Sequence, residues 1–208
     1  MTDRESLYVA GVELATEFCS LNNLRTPEFK PALRGERCYD LGTCAFYRPY
    51  TIRVMVDKCA NRGVGGRAWS WPAYVIDRTP YGVVQHELGH HVDAVLSGHK
   101  VRPIFSERIY AESQEPPLTG YLGTDKRELT FYMEWFAENF RLFVTNPDLS
   151  MRLRPKFYAA LSKYVKPISL PLGHHADPYR LDYVETLRAH KATQRILSQA
   201  IKKVEAAR

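Results

Sequence analysis

Val83-Val84-Gln85-His86-Glu87-Leu88-Gly89-His90-His91 is the stretch on which the fold turns. It contains HExxH, in which two histidines four residues apart stand on one face of a helix. Both imidazoles can then reach one tetrahedral metal ion. Glu87 lies beside them, placed to act as general base on a water that the metal activates. The flanking residues favour a helix. Thr79 suits its N-cap, Pro80 its first turn and Gly98 its C-terminal stop. Val83, Val84, Leu88, Val92, Val95 and Leu96 supply enough apolar surface to bury it. A buried helix would hold metal-binding side chains rigidly.

A catalytic zinc needs a third protein ligand and an open fourth position. The extended pattern HExxHxxGxxH is absent, because Asp93 and Leu96 occupy its glycine and third-histidine positions. The better source is Glu134-Trp135-Phe136-Ala137-Glu138-Asn139-Phe140-Arg141. Asp125 and Glu128 resemble a capping box opening a helix there, and Asn146-Pro147 marks its end. Leu129, Tyr132, Met133, Phe136, Phe140 and Phe143 make that helix core-seeking, yet Glu134 and Glu138 share one of its faces. Carboxylates so placed are costly unless they meet a metal or hydrogen-bond donors. Glu134 is the preferred third ligand to one Zn2+, and Glu138 the carboxylate that orients a ligating histidine through its distal nitrogen. The reverse assignment is chemically open. So is the ordinary alternative, in which both carboxylates face solvent in salt bridges.

Together, His86-Glu87-Leu88-Gly89-His90-His91-Val92-Asp93 and the ExFAE-like segment from Glu134 resemble the zincin metallopeptidases with a glutamate third ligand, the gluzincins. The likeness is greatest to the catalytic domain of anthrax lethal factor and its relatives, over roughly residues 40 to 145. The resemblance implies a zinc-dependent endopeptidase with His86, His90 and Glu134 on the metal, Glu87 as base and Glu138 behind the ligands. It also implies an α+β fold with a small mixed sheet beside the HExxH helix. In that family a tyrosine shortly before the third-ligand helix stabilises the oxyanion. Tyr121, between Gly120 and Gly123, takes that role here, at a longer interval than the family pattern. Tyr132 and the His174-His175 pair are the other candidates.

Ile52, Val54 and Val56 alternate with Arg53, Met55 and Asp57, the pattern of a half-buried strand. Leu41 to Tyr47 reads as its neighbour or an edge, so residues 41 to 56 are expected to offer an edge to an extended peptide or protein substrate. The order Gly42-Thr43-Cys44, strand, HExxH is more loosely similar to SprT-type proteases, which act on proteins crosslinked to DNA. An amide deacylase or a non-catalytic basic binding protein are further alternatives. Residues 98 to 125, with Pro103, Pro116 and Pro117, read as a long loop, a lid or substrate wall. Asn61 to Arg67 lacks the GxxxxGK[ST] of a phosphate loop and reads as a flexible connection, which Trp69 and Trp71 are expected to pack down, a binding surface being the alternative.

The 208 residues, 45% apolar, suffice for one sizeable core. The expected organisation is a single catalytic domain over 1–208, with a core at 40–145. An N-terminal helix at 3–18 buries Leu7, Gly11, Leu14 and Phe18, and a helical extension spans 148–208. In that extension Phe157, Leu161 and Tyr164 mark a short helix ending before Pro167, and Asp177-Pro178 opens a basic terminal one. No run approaches transmembrane length and no signal peptide is legible, so cytoplasmic residence is the default and non-classical export the alternative. The net charge of +6 permits nucleic-acid contact without establishing it. Cys19, Cys38, Cys44 and Cys59 form no CxxC pair and read as reduced thiols, one or two disulfides being the alternative if the chain is exported.

Overall fold

A computed structural model describes residues 3–32, 44–59, 79–99, 104–116, 118 and 129–168. The architecture is α+β: a small mixed sheet and a set of helices, with HExxH on a helix and a largely helical part after it. Helix α1 (Asp3–Leu21) buries Ala10, Leu14, Ala15, Phe18 and Cys19, a one-sided apolar stripe. It runs a turn beyond the expected 3–18. The end is set by Asn22, whose side-chain amide donates to the Phe18 carbonyl, and by Asn23, left-handed at φ 52°. The Leu24 N–H then closes back on the Cys19 carbonyl at 2.9 Å.

Three strands follow, in the order β1-β3-β2. Strand β1 (Glu28–Pro31) pairs parallel with β3 (Thr51–Val54), and β2 (Ala45–Arg48) pairs antiparallel with β3 on its other side. The expected alternation holds at Ile52 and Val54, which are fully buried, but it stops there. Met55, expected on the outward set, is fully buried too, and Val56–Lys58 winds into a turn of 3-10 helix instead of continuing the strand. The two residues joining β2 to β3 are Pro49 and Tyr50. Proline cannot enter positive φ, so the left-handed position of this tight turn falls on Tyr50, at φ 65°. A tyrosine there is strained, and persists because its surroundings hold it.

Helix α2 (Pro80–Leu96) carries HExxH. Thr79 caps it, its hydroxyl accepting from the Gly82 N–H at 3.3 Å, and Pro80 occupies the first turn. Its chain leaves through Gly98, at φ 67°. The reading of residues 98 to 125 as a loop is corrected by helix α3 (Ile104–Ser113). Phe105, Ile109 and Ser113 recur every four residues and are buried. The start of α3 is capped from another element. Ser97 Oγ accepts from the Phe105 N–H at 3.0 Å, and Asp93 Oδ1 from the Ser106 N–H at 2.9 Å. Both cap residues come from the end of α2, so no local signal announces the helix.

Helix α4 (Leu129–Thr145) carries the ExFAE-like segment and ends before Asn146-Pro147, as its turn chemistry requires. Two short helices follow, α5 (Pro147–Leu153) and α6 (Pro155–Leu161), where one was expected; Tyr164 lies in the turn after α6. Glu115 joins this part together: its carbonyl accepts from the Trp135 indole, and its carboxylate from the Lys156 N–H at the start of α6.

Between the helices Phe18, Phe105, Trp135, Phe136, Phe140, Phe143 and Phe157 form one aromatic core with mostly edge-on contacts. At its centre α2 and α4 approach closely at Gly89, where a Cβ would come within 2.8 Å of the Ala137 Cα. Ala137 is three residues after Glu134 and one before Glu138, so this contact sets the spacing of the two site-bearing helices. Gly89→Ala should spread them. The overpacking cost, about 1–3 kcal/mol, exceeds the ~1 kcal/mol that alanine returns in helix propensity. The expected result is a lower melting temperature together with weaker zinc binding, read by differential scanning calorimetry and metal titration. An unchanged zinc affinity would show that the helices do not depend on this contact.

Candidate metal centre

The α2–α4 packing brings three expected side chains to one point. His86 Nε2 lies 3.1 Å from Glu134 Oε2, and His90 Nε2 lies 3.5 Å from the same oxygen. Donor atoms from all three residues fall within 4.8 Å of one another, a group that could hold a metal ion. Zinc–nitrogen and zinc–oxygen bonds of about 2.0–2.1 Å place neighbouring tetrahedral ligands about 3.3 Å apart. The two observed separations bracket that value. Two imidazoles and a carboxylate are also a donor set suited to zinc. The residues present therefore fit the ion.

Behind the donors, Glu138 is 3% exposed and accepts from His86 Nδ1 at 2.8 Å. Its other oxygen takes Arg141 Nη2 at 3.0 Å, one turn along α4. The Arg141–Glu138–His86 chain fixes the ring so that Nε2 faces Glu134 and His90. With carboxylates at both nitrogens, the His86 ring is held as an imidazolium. Burial alone would lower its pKa, but the Glu134 and Glu138 carboxylates outweigh burial and raise it to about 10. Glu134 moves the other way: burial pushes it up, and His86 and His90 together hold it well below the ordinary carboxylate range. A metal must displace the His86 proton. Its raised pKa keeps that proton in place at neutral pH, so zinc uptake at pH 7 should release about one proton. Calorimetric titrations in buffers of different ionisation enthalpy would show it, and an enthalpy independent of buffer would contradict it.

Glu87 is buried next to the donor group. Desolvation pushes its pKa up; His90 and His86 counter that, Glu134 adds to it, and the Tyr47 main-chain N–H lowers it by a hydrogen bond. The sheet register explains that last contact. The Met55 N–H bonds the Cys44 carbonyl, so residues 44, 46 and 48 of the second strand turn their amides toward β3. Ala45 and Tyr47 turn theirs outward, and on that open side the Tyr47 N–H meets Glu87. Among the described residues strand β2 is an edge of the sheet and runs beside the candidate site. Of residues 41 to 56, which were expected to offer that edge, 51–54 form the central strand instead, paired on both sides, and 41–43 lie outside the described residues.

Other expectations fare differently. Tyr121, with the Asp125/Glu128 capping box, lies outside the described residues, as do His174, His175, Trp69, Trp71, Asn61 to Arg67, Cys38 and the basic terminal helix. Tyr132 stands two residues from Glu134, on the opposite side of α4. Its ring packs against Phe131 and Tyr110 at 5.4 and 5.2 Å, which is a structural place. Cys19, Cys44 and Cys59 are free thiols. Among the described residues no helix is long and apolar enough to cross a membrane. Sequence reasoning passed over His91 and Asp93. His91 is fully buried and bonds outside the donor group, while Asp93 caps α3. Neither role has a local sequence signature, since each partner comes from a distant segment.

The chain matches no protein-family model, and no curated protein and no solved structure is significantly similar to it. The arrangement itself is consistent with an HExxH-type zincin site: a His/His/Glu triad on two packed helices, with Glu87 adjacent.

Proposed function

We propose that this protein is a zinc-dependent endopeptidase. The observation that carries the proposal is the convergence, on two packed helices, of His86, His90 and Glu134, their donor atoms within 4.8 Å of one another, with the buried Glu87 beside them. Zinc held by that triad would supply a Lewis acid, acidifying water and polarising the scissile carbonyl. Glu87 accepts the proton of the attacking water and returns it to the departing amine. Its burial raises its pKa, the direction that strengthens a carboxylate as a base, and the Tyr47 N–H keeps the carboxylate oriented. Tyr121 is assigned as donor to the oxyanion, on the resemblance to the lethal-factor family. Glu138 and Arg141 hold His86 in place.

The outward amide and carbonyl groups of β2 support binding of an extended peptide in register with Glu87, with side-chain pockets setting sequence preference. The test is identification of new peptide termini in a proteome treated with the protein or with its Glu87→Gln variant, with and without DNA. Cuts at a recurring peptide motif that require Glu87 and are indifferent to DNA are expected. Cleavage confined to DNA-crosslinked proteins, weakening with salt, would replace this substrate assignment by a DNA-associated one. Release of acyl groups with no new termini would replace peptide hydrolysis by deacylation.

A further inference from the structure

The third histidine of the HELGHH run stands apart from the metal centre, and its contacts form a directed chain. His91 Nε2 is 2.7 Å from the Arg25 carbonyl, so that nitrogen carries a proton and donates it. In the neutral ring Nδ1 is then an acceptor, and it lies 3.4 Å from the Tyr47 hydroxyl. The same hydroxyl accepts from the Tyr50 N–H at 3.4 Å. Tyr50 is the left-handed residue of the β2–β3 turn. Its ring lies under the Arg25 guanidinium at 3.9 Å and against the His99 ring at 4.7 Å. One buried imidazole on α2 therefore ties together the chain before β1, the side chain of Tyr47 and, through it, the strained turn that ends the hairpin. Tyr47 is also the residue whose main-chain N–H meets Glu87.

We propose that His91 is a positioning residue for Glu87: acting through the Tyr47 hydroxyl, it pins the edge strand so that the Tyr47 main-chain N–H stays on the Glu87 carboxylate. The adjacent histidines then divide their work. His90 faces Glu134, and His91, one residue on and about 100° round the helix, faces the hairpin. A strand fixed only by pairing with β3 would be free to shift at its turn end, since the left-handed Tyr50 opposes the geometry that the turn must keep. The kinetic consequence rests on the hydrolase reading above; the pin itself does not.

Tyr47→Phe removes only the hydroxyl, and His91→Phe fills the ring's space without hydrogen-bonding groups. His91→Gln retains both a donor and an acceptor. The main-chain amide at position 47 should exchange slowly with deuterium in the zinc-loaded wild type. Exchange should be roughly tenfold faster or more in both phenylalanine variants, the scale of one lost hydrogen bond of about 1.4 kcal/mol, and largely restored in His91→Gln. Zinc content should stay at one per chain throughout. On a cleaved peptide, kcat should fall roughly tenfold or more in the phenylalanine variants with KM changing much less, as a misplaced base requires. Tyr47→Phe combined with His91→Phe should be no worse than either alone. Unchanged exchange at position 47 in both phenylalanine variants would overturn the pin, as would a loss in His91→Gln equal to that in His91→Phe. Zinc-loaded wild type that cleaves no peptide would count against hydrolysis, and the exchange rates would still decide the pin.

Discussion

Glu87→Gln is expected to leave zinc bound and to lower turnover by roughly 100-fold or more, the scale of lost general acid–base catalysis. The reason lies in what the substitution keeps. Glutamine has the shape of glutamate and retains an oxygen that can accept from the Tyr47 N–H, so neither the edge strand nor α2 needs to move. It has no lone pair basic enough to take a proton from water, and none to return. Glu87 is not one of the three residues whose donor atoms converge, so metal content should remain at one ion per chain. The measurement is a pair: metal analysis of the purified variant and steady-state cleavage of a peptide established with the wild type. Unchanged cleavage would remove Glu87 from the mechanism.

Glu134→Ala should have an effect of similar size by a different route. The Glu134 oxygen is the point that both histidine nitrogens face, at 3.1 and 3.5 Å. Removing it leaves two imidazoles on one helix face, one donor short of the three a catalytic zinc site keeps. Zinc should no longer survive dialysis against a mild chelator, and activity should be lost with it. Fold stability without metal should fall at neutral pH, because the His86 and His90 contacts that hold the Glu134 carboxylate ionised are lost and the His86 imidazolium is left with Glu138 alone. A variant that keeps stoichiometric zinc would transfer the third-ligand role elsewhere, with Glu138, one turn along the same helix face, the first alternative.

Much of this centre is legible in the sequence because its causes are local. Thr79, Pro80 and Gly98 bound α2 by short-range chemistry, and the four-residue spacing of His86 and His90 follows from the helical period alone. Glu134 and Glu138 stand out because two carboxylates share a face of an otherwise apolar helix, and the cost of burying them demands partners. The structure supplies those partners: His86 for both, and Arg141 for Glu138.

What escaped the sequence is made by distant partners. Helix α3 was hidden because its caps, Asp93 and Ser97, come from the end of the preceding helix, 13 and 8 residues before the amides that donate to them. Strand β1 is four half-exposed residues ending in proline; it is a strand because β3 offers it a parallel ladder, not because its own pattern asks for one. His91 reads as a spare histidine until Arg25 and Tyr47, far away in sequence, are placed against it.

The central claim is that one zinc ion sits between α2 and α4, and X-ray absorption spectroscopy on zinc-loaded protein, with a matched crystal structure at the zinc edge, tests it most directly. The account predicts one ion per chain, with two imidazole nitrogens and a carboxylate oxygen at about 2.0–2.2 Å, from His86, His90 and Glu134. A zinc-replete protein whose ion contacts other residues, or whose coordination shell contains sulfur, would contradict it.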